Sequence, residues 1–503
     1  MLRRFLHNTA ISAVAYGLAG VLGLLAVGLI AKSYGLAVLG LIVLVRTFLP
    51  SGFLSLVDFG VSEITTQAVA RGRIGDWTVA SEKVSLVTLI AAVTGITAGA
   101  ALWVAAVPLA AIFKVAPAQA DAFVSILTMT AFVLPIAFLG LVAEGMLKGF
   151  EEYGWLRLTE VGGNALYVAA VYLAVWRGAP FESVAYSYLA ITIVAKYVVL
   201  AVVTCLVARP TPLRLVAWGS DSRRDVLHRC WLMFNSRIVG VLQHTLAPLA
   251  IGVLFSPVEV GSYDLITRLP RFLKAVMAPL YSAILPISAR IEEMTDTRRL
   301  KMLGHSGVVF PAAIAFPVLF VVALFSKEIL TLWVGPQNAE QWPWMVISLL
   351  VPATTILLGT GQTALIVRSD FLRFNNRVLY WQVLVQYLLI AITLAWFRGH
   401  AFIFGWAISH VLFAPVFARY MLIAMKLPGS LFWGQLVRHL VVAVILSALV
   451  AGCQFFVYPD TLIKLVIVGG ISCLVAWGLS FLIILTRDER AMFGRFARTM
   501  TGR

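Results

Sequence analysis

Three cations recur at intervals of three residues inside one long apolar stretch of the sequence. They are Arg268, Arg271 and Lys274, and Asp264 precedes the first of them by one helical turn. On a helix these four side chains share one face, roughly a third of the circumference. A charge at membrane depth costs several kcal/mol unless it is paired or hydrated. Because one acid does not balance three cations, the face suits an anionic ligand, and arginine binds phosphate oxygens in a bidentate fork.

Other charges also lie within apolar stretches. Two arginines, Arg46 and Arg237, join the three cations above as candidate ligands of an anion. The candidate residues for ion coupling or gating are Asp58, Glu63, Glu144, Glu160, Lys196 and Asp264. Two interpretations of the acids stand side by side. They form a structural ion-pair network with Lys196, or they form a proton or sodium site, because buried carboxylates can load and release protons.

The composition places these charges in a membrane protein. Of 503 residues, 61% are hydrophobic and only 12% are charged, and the mean hydropathy is +0.94. Soluble domains carry about 25% charged residues and cannot hide this much apolar surface. The net charge of +16 would suggest nucleic acid as the partner of a soluble protein. In a membrane protein it is better explained by lysine and arginine in cytoplasmic loops, so we expect no nucleic-acid partner.

Fourteen apolar segments are long enough to cross a bilayer as helices. We predict an all-α polytopic membrane protein with fourteen transmembrane helices. Their predicted limits are 7–32, 37–69, 83–113, 118–147, 153–176, 183–208, 226–255, 258–289, 302–326, 342–367, 376–396, 401–425, 435–456 and 462–486.

The distribution of lysine and arginine predicts the orientation of these segments. With the N-terminus in the cytoplasm, 27 of the 39 lysines and arginines fall on the inner side, six on the outer side and six within segments. A missed segment would invert this pattern downstream, so both termini are predicted to be cytoplasmic. The first apolar run is too long for a cleaved signal and is followed at once by another, which predicts an anchor that stays.

The sequence offers no motif for metal, cofactor or nucleotide chemistry. The four cysteines are far apart, and the seven histidines form no metal-binding pair. Walker loops, dinucleotide fingerprints and nucleophile elbows are missing from the sequence. The longest predicted outer loop, about 327–342, is too small for the catalytic loop of a membrane-embedded polymerase or ligase. We therefore expect no enzyme activity, no catalytic residues and no cofactor.

The longest inner loop, "RPTPLRLVAWGSDSRRDVL", divides the chain. The predicted domains are an N-terminal six-helix lobe (1–209), an inter-lobe loop (210–225), a C-terminal six-helix lobe (226–427), and two further helices with a basic cytoplasmic tail (428–503). A short similarity links the two lobes. Gly40 precedes Arg46 in the second segment much as Gly261 precedes Arg268 in the eighth, which predicts a parallel repeat.

Several stretches resemble one transporter family. "GLAVLGLIVLVRTFLPSGFLSLVDFGVSEITTQAVARG" is similar to the second helix of oligosaccharide flippases, and "LFSPVEVGSYDLITRLPRFLKAVMAPLYSAILPISARI" to their eighth helix. "FSKEILTLWVGPQ" is similar to the turn after their ninth helix. Through these stretches and through helix order the chain resembles Wzx-type polysaccharide flippases of the multidrug/oligosaccharidyl-lipid/polysaccharide (MOP) exporter superfamily. It departs from the family at His244, where an acid is expected.

This resemblance implies a MATE-like fold, with two lobes around a central cavity. It implies a substrate carried on a polyprenyl diphosphate, moved from the cytoplasmic to the outer leaflet of the bacterial inner membrane by alternating access. The buried cations would bind the diphosphate, the acids would couple an H⁺ or Na⁺ gradient, and the last two helices would hold the polyprenyl tail. Membrane lipid, a polysaccharide polymerase and glycosyltransferases are the further partners that it implies.

Alternatives remain at the level of sequence. A multidrug/cation antiporter of the same superfamily shares the helix count, but it needs an acid-lined cavity. A membrane-embedded polysaccharide polymerase or ligase needs the outer loop that is too short here. At the level of residues, Arg268 and Arg271 are cavity ligands or interfacial anchors with extended side chains, and Asp264 pairs with Arg268 or acts in gating.

Overall fold

Helices make up all of the secondary structure in the part of the chain that the structure describes. The computed structural model describes residues 2–277, 281, 284, 288, 291, 297–454, 458–487 and 489–490, with side chains from residue 14 onward except at 453 and 454. The all-α polytopic class predicted from composition is confirmed. The far half of the predicted segment 258–289 and the basic tail after Arg490 lie outside the described residues.

The helix limits follow the apolar segments closely. The α-helices are α1 (Leu2–Thr47), α2 (Val61–Gly72), α3 (Trp77–Ile112), α4 (Pro117–Gly149), α5 (Tyr153–Trp176), α6 (Glu182–Ser187), α7 (Lys196–Ala208), α8 (Ser220–Gly240), α9 (Leu246–Leu254), α10 (Pro257–Val276), α11 (Thr297–Leu324), α12 (Ser326–Val334), α13 (Trp342–Leu365), α14 (Ser369–Phe397), α15 (Ala401–Ala424), α16 (Ser430–Gln454) and α17 (Leu462–Leu479).

These helices supply the fourteen predicted spans. Within the described ranges, eleven continuous helical stretches are long and apolar enough to cross a membrane. Two of them each contain two spans: α1 bends at Gly35, whose φ of 84° is not helical, and the stretch Ser369–Ala424 joins α14 to α15. Helix α10 begins the eighth span. Three π-helical segments, Tyr188–Ala195, Val241–Thr245 and Ser480–Ile484, continue spans six, seven and fourteen.

The second span is broken, whereas the sequence predicted one continuous helix over 37–69. Helix α1 ends at Thr47 and α2 begins only at Val61, with a 3₁₀ turn between them. Pro50 has no backbone N–H for a helical hydrogen bond. Gly60 has a φ of 72°, and its N–H donates to Asp58 Oδ1 at 2.9 Å, which fixes a turn. Asp58 therefore lies in a break and not late in a helix.

The chain forms two compact units, Met1–Leu265 and Ile266–Arg503. The predicted lobe limits at 209 and 226 stay a prediction.

In the first unit, Ser81 and Ser85 of α3 bind the inter-lobe loop through their hydroxyl oxygens. The Arg214 N–H donates to Ser81 Oγ at 3.2 Å. The Val216 N–H donates to Ser85 Oγ at 2.9 Å. The loop thus lies along α3 as an extended strap.

The second unit has its own apolar core. Buried side chains from α11, α13, α15 and α16 pack together, including Val308, Leu357, Phe417 and Phe432. Both units also expose large apolar side chains on their helices, for example Val104 at 73% and Ile463 at 73%. In a soluble protein such a surface would aggregate, so these faces are the ones that contact lipid.

Candidate functional site

Arg237 of α8 is held by two carboxylates in the first unit. Its guanidinium forms an ion pair with Asp58, and Nη2 lies 2.8 Å from Glu63 Oε1. Nη1 also donates to the Ser55 carbonyl oxygen at 3.1 Å. The side chain of Asp58 is 9% exposed, whereas that of Glu63 is 47% exposed. The cation predicted to bind an anionic ligand is thus neutralised within its own unit.

Two more of the predicted acids, Glu144 and Glu160, also have cationic partners. Glu144 Oε1 lies 2.8 Å from Lys148 Nζ, four residues later on α4. Glu160 Oε2 lies 2.5 Å from Arg157 Nη1, three residues earlier on α5. These pairs join neighbouring turns of one helix. The sequence predicts Lys196 as the partner of these acids, although the spacings of four and three residues identify Lys148 and Arg157.

Lys148 and Arg157 extend these pairs to other helices. Lys148 Nζ donates to Ser62 Oγ of α2 at 3.3 Å. Arg157 Nη2 donates to the Tyr16 hydroxyl of α1 at 3.1 Å, and its guanidinium carbon lies 4.2 Å from the Tyr16 ring centroid. Asp58, Glu63, Glu144 and Glu160 are therefore all paired with cations of the first unit, four carboxylates with the three cations Arg237, Lys148 and Arg157.

Lys196, the lysine expected to pair with the acids, lies over a ring. Its Nζ is 5.0 Å from the ring centroid of Tyr197. Glu144 is close enough to interact with it electrostatically, but Lys196 makes no salt bridge within 4 Å to a residue that the structure describes. Lys196 begins α7 where the π-helical segment of the sixth span ends. Such π segments are frequent at functional sites.

Arg46 packs on tyrosine rings. Its guanidinium carbon lies 4.1 Å from the Tyr188 ring centroid and 6.0 Å from that of Tyr167. Asp264, which is 2% exposed, is an electrostatic neighbour of Arg46. A guanidinium over an aromatic face is stabilised by the ring quadrupole. Arg46 thus packs on the rings of Tyr188 and Tyr167, and neither tyrosine was among the residues predicted from the sequence.

The three cations of α10 lie in a different environment. Helix α10 continues through Pro270, and Arg268, Arg271 and Lys274 are all half-buried. Arg271 Nη2 donates to Thr267 Oγ1, one turn earlier, which orients the guanidinium along its own helix. Lys274 makes no hydrogen bond or ion pair with any residue in the described ranges.

The electrostatic neighbour of Lys274 on α15 is also a basic residue. His410 of α15 is an electrostatic neighbour of Lys274, and His410 Nδ1 lies 2.8 Å from the Trp406 carbonyl oxygen. A half-buried ammonium that has no acidic partner in the described ranges is costly unless an anion or water compensates it. The arrangement on α10 and α15 therefore favours an anionic ligand.

His244 marks the departure from the family pattern at the seventh span. It lies in the π-helical segment Val241–Thr245, between α8 and α9. A π turn adds one residue to the helical repeat and rotates the side chains that follow it. Among the side chains that the structure describes, no three of His, Cys, Asp or Glu come together as a metal site. His244 therefore contributes to no metal site in this part of the chain.

Residues 29–347 match the model of a family described as polysaccharide biosynthesis protein. The fold is similar to that of three solved transporters. Lipid II flippase MurJ in an inward closed conformation has a TM-score of 0.68 at 12% identity, over 94% of this chain and 98% of MurJ. A multidrug resistance MATE family transporter of the MOP superfamily, inward-facing, has a TM-score of 0.54 at 13% identity, over 83% of this chain and 94% of that one.

The third is a mutant of a Vibrio cholerae MATE transporter, with a TM-score of 0.58 at 12% identity, over 86% of this chain and 98% of that one. No curated protein sequence matches this chain significantly. At these identities the likeness concerns the fold, and it confirms the predicted MATE-like architecture.

Proposed function

The chain belongs to the polysaccharide biosynthesis protein family, and we propose that it is a flippase for a polyprenyl-diphosphate-linked oligosaccharide. It moves this lipid from the cytoplasmic to the outer leaflet of the bacterial inner membrane by alternating access. The structural neighbour MurJ is a lipid II flippase, which supports a lipid-linked substrate. The protein is a transporter in this proposal and carries out no covalent chemistry.

The observation that carries the proposal is the uncompensated cation on α10. Lys274 is half-buried, has no ion-pair partner in the described ranges, and follows Arg268 and Arg271 on one face. A diphosphate carries at least two negative charges, which cannot enter hydrocarbon without neutralisation. The guanidinium of arginine can bind two oxygens of the diphosphate at once, and lysine adds a point charge. The positive face of α10 thus complements the diphosphate, which is the part of the substrate with the largest free-energy cost of crossing the hydrocarbon.

We assign different roles to the other two arginines predicted as phosphate ligands. Arg237 is engaged by Asp58 and Glu63, and Arg46 is stacked on Tyr188. To bind phosphate, Arg237 would have to leave two carboxylates that already neutralise its charge, and Arg46 would have to leave the Tyr188 ring. In our proposal both hold helices of the first unit together, and Arg268, Arg271 and Lys274 contact the diphosphate.

Ion coupling is proposed for the paired acids of α4 and α5. Protonation of Glu144 or Glu160 would weaken its bond to Lys148 or Arg157, and these cations in turn hold Ser62 and Tyr16. An H⁺ or Na⁺ arriving at a carboxylate would therefore loosen contacts between helices of the first unit. Such a charge change is the kind of local event that can bias a two-state element.

The proposal includes an orientation and a set of partners. Both termini face the cytoplasm, as the 27-to-six distribution of lysine and arginine over the two sides indicates. Glycosyltransferases on the cytoplasmic side supply the lipid-linked oligosaccharide, and a polysaccharide polymerase consumes it after translocation. The alternative of a cation antiporter shares the fold but is disfavoured. An organic cation would be repelled by Lys274, because no acid in the described ranges neutralises this lysine.

The test is export of surface polysaccharide in a strain that lacks the gene. Arg271→Lys keeps the charge but loses the fork, so we expect it to lose much of the export, and Arg271→Ala nearly all of it. A charge-assisted contact is worth about 1.5–3 kcal/mol, or roughly ten- to hundredfold in binding. Lys274→Met should also lose export. Arg373→Ala, an exposed arginine of α14, is the control that should export normally.

Each variant must be present in the membrane at wild-type amounts on a blot. Full export by the double variant Arg268→Ala with Arg271→Ala would make these arginines interfacial anchors and would refute the phosphate-binding role.

A further inference from the structure

A groove opens on the second unit where α15 ends and α16 begins. Its volume is about 420 Å³. Its floor includes the buried side chains of Ala418, Leu422 and Phe432, and its rim includes Ile423 and Trp433, which are 69% and 54% exposed. The groove is thus apolar inside and open to its surroundings.

The groove continues an apolar face along α15. Leu412, Val416, Arg419 and Ile423 follow one another at spacings of four, three and four residues, which places them on one face of the helix. The three apolar members of this set are 54%, 42% and 69% exposed. An exposed apolar face on a membrane-spanning helix contacts lipid chains. Arg419 interrupts this face one turn before the groove's outer rim.

The facing helix has the same pattern. Trp433, Val437, Leu440 and Val444 of α16 repeat at spacings of four, three and four residues, with exposures of 54%, 58%, 55% and 69%. Tryptophan prefers the level where the hydrocarbon meets the headgroups, because its ring is apolar and its N–H is polar. The groove with Trp433 on its rim therefore lies where the two lipid-facing surfaces approach a headgroup layer.

Positive charge accompanies the groove. Arg419 is in its lining, and Lys426 lies in the turn between α15 and α16, with a φ of 53°. Within the described ranges neither makes an ion pair or a hydrogen bond. Asp370, which contacts the residue after Arg419, accepts from the Tyr420 hydroxyl at 2.9 Å and lies 3.4 Å from Arg368. Asp370 is thus engaged elsewhere, and the charge at the groove remains positive.

We propose that this groove binds an anionic phospholipid of the cytoplasmic leaflet. One acyl chain lies on the floor formed by Leu422 and Phe432, the phosphate contacts Arg419, and Lys426 adds positive field. The distribution of lysine and arginine places this end of both helices on the cytoplasmic side, where anionic lipids concentrate and attract basic residues. The site is separate from the α10 cations, and it does not depend on what the protein transports.

A lipid that binds the folded protein and not the unfolded chain stabilises it by mass action. The bound phospholipid would hold the end of α15 against the start of α16 through both its chain and its headgroup. The second unit would then be more stable in membranes rich in anionic lipid than in membranes of neutral lipid.

The test measures lipid binding to the full-length protein in detergent. Dioctanoyl-phosphatidylglycerol and dioctanoyl-phosphatidylcholine are titrated separately, and the unfolding temperature is followed. We expect saturable stabilisation by phosphatidylglycerol at roughly tenfold lower concentration than by phosphatidylcholine. Both lipids carry the phosphate, but the choline cation cancels the net charge of phosphatidylcholine and is repelled by Arg419 and Lys426, and the loss of one charge-assisted contact is about a factor of ten. Arg419→Ala should remove this preference.

A second variant tests the floor of the groove. Gly429 lines the groove and has open space around it, so Gly429→Leu fills the groove without a backbone clash and should weaken binding of both lipids at least tenfold. Gly434→Leu on α16, also in open space and outside the lining, is the matched control for volume. Arg373→Ala on α14 is the matched control for charge, and both controls should bind as the wild type does.

Four results would overturn the proposal. They are equal affinity for the two lipids, wild-type binding by Gly429→Leu, equal stabilisation by inorganic phosphate alone, and binding of a polyprenyl phosphate more than tenfold tighter than phosphatidylglycerol. The third result would indicate a bare anion site, and the fourth would assign the groove to the transported lipid.

Discussion

Gly40 and Gly261 lie directly against each other where α1 crosses α10. A Cβ added to Gly40 would lie 1.8 Å from the Pro257 carbonyl oxygen, and one added to Gly261 would lie 2.0 Å from that of Leu36. The contact is reciprocal: Gly40 faces the carbonyl group of the residue four before Gly261, and Gly261 faces the carbonyl group of the residue four before Gly40. The two glycines of the sequence similarity between the second and eighth segments thus meet in the first unit. Small residues permit this approach of helix backbones in membranes.

We predict that Gly40→Ala and Gly261→Ala both destabilise the protein. A methyl group cannot fit against a backbone oxygen at these distances, so the helices must separate. Overpacking of this kind costs about 1–3 kcal/mol. The measurement is the unfolding temperature of the purified protein in detergent. Gly240→Ala, where nothing lies within 4 Å of the added Cβ, is the matched control and should unfold as the wild type does.

Removal of Arg237 should destabilise the first unit more than removal of Glu63. Arg237→Ala leaves Asp58 buried without its cation, and breaking such a pair costs about 3–5 kcal/mol. Glu63→Gln removes the more exposed partner and should cost less than about 1 kcal/mol. Chemical unfolding in detergent compares the variants. Combining Arg237→Gln with Asp58→Asn should recover stability relative to Arg237→Ala, and failure to do so would contradict the assigned pair.

Glu144→Gln and Glu160→Gln are predicted to impair transport at unchanged protein levels. Each substitution removes a charge that holds Lys148 or Arg157, and glutamine cannot take up or release the proton that the proposed coupling requires. Transport is measured between about pH 6 and pH 8, with Glu340→Gln at an exposed position as the control. Wild-type transport by both variants over this range would make the cluster structural only.

Labelling of single cysteines tests the predicted topology after the native cysteines are replaced. A membrane-impermeant reagent should reach cysteine at Gln337 and Arg398 from outside, because both positions are exposed in loops assigned to the outer face. It should not reach Ser220, nor Gly494 in the tail that lies outside the described residues. Modification of Ser220→Cys in intact cells would refute the fourteen-span orientation.

Glu489 should stabilise the segment after the last span in a pH-dependent way. Burial raises the pKa of this carboxyl, but hydrogen bonds from Thr486 and His305 outweigh it, and the pKa lies below the ordinary 4.5. His305 Nε2 is 2.7 Å from Glu489 Oε1. A carboxyl with a lowered pKa stabilises the fold above its unfolded-state pKa, and this contribution is lost as pH falls through the folded-state value.

The measurement compares the unfolding temperatures of the wild type and Glu489→Gln. The wild type should be more stable at pH values above 4.5, and the two curves should converge as the pH falls below it. Glu340→Gln should show no such divergence. Parallel curves over the whole range would show that the charge of Glu489 contributes nothing to stability.

The spans were predictable because the bilayer fixes their length and because hydropathy is local. The predicted segment 153–176 coincides with α5 (Tyr153–Trp176), and 342–367 and 401–425 differ from α13 and α15 only at their ends. The break before Val61 was missed because the apolar composition continues through it. Its local causes, Pro50 and Gly60, were visible in the sequence, but the Asp58 turn that fixes the break was not predicted.

The sequence by itself determined which charges lie at membrane depth and which of them share a helix face. It also contained the pair of Glu144 and Lys148, because residues four apart meet on any helix. Only the tertiary structure decided which cations are neutralised. Arg237 and Asp58 are 179 residues apart, and their contact depends on how distant helices pack. Lys274, by contrast, meets no acid in the described part of the chain. Hydropathy and helical periodicity are properties of neighbouring residues, whereas charge compensation is a property of the packed fold.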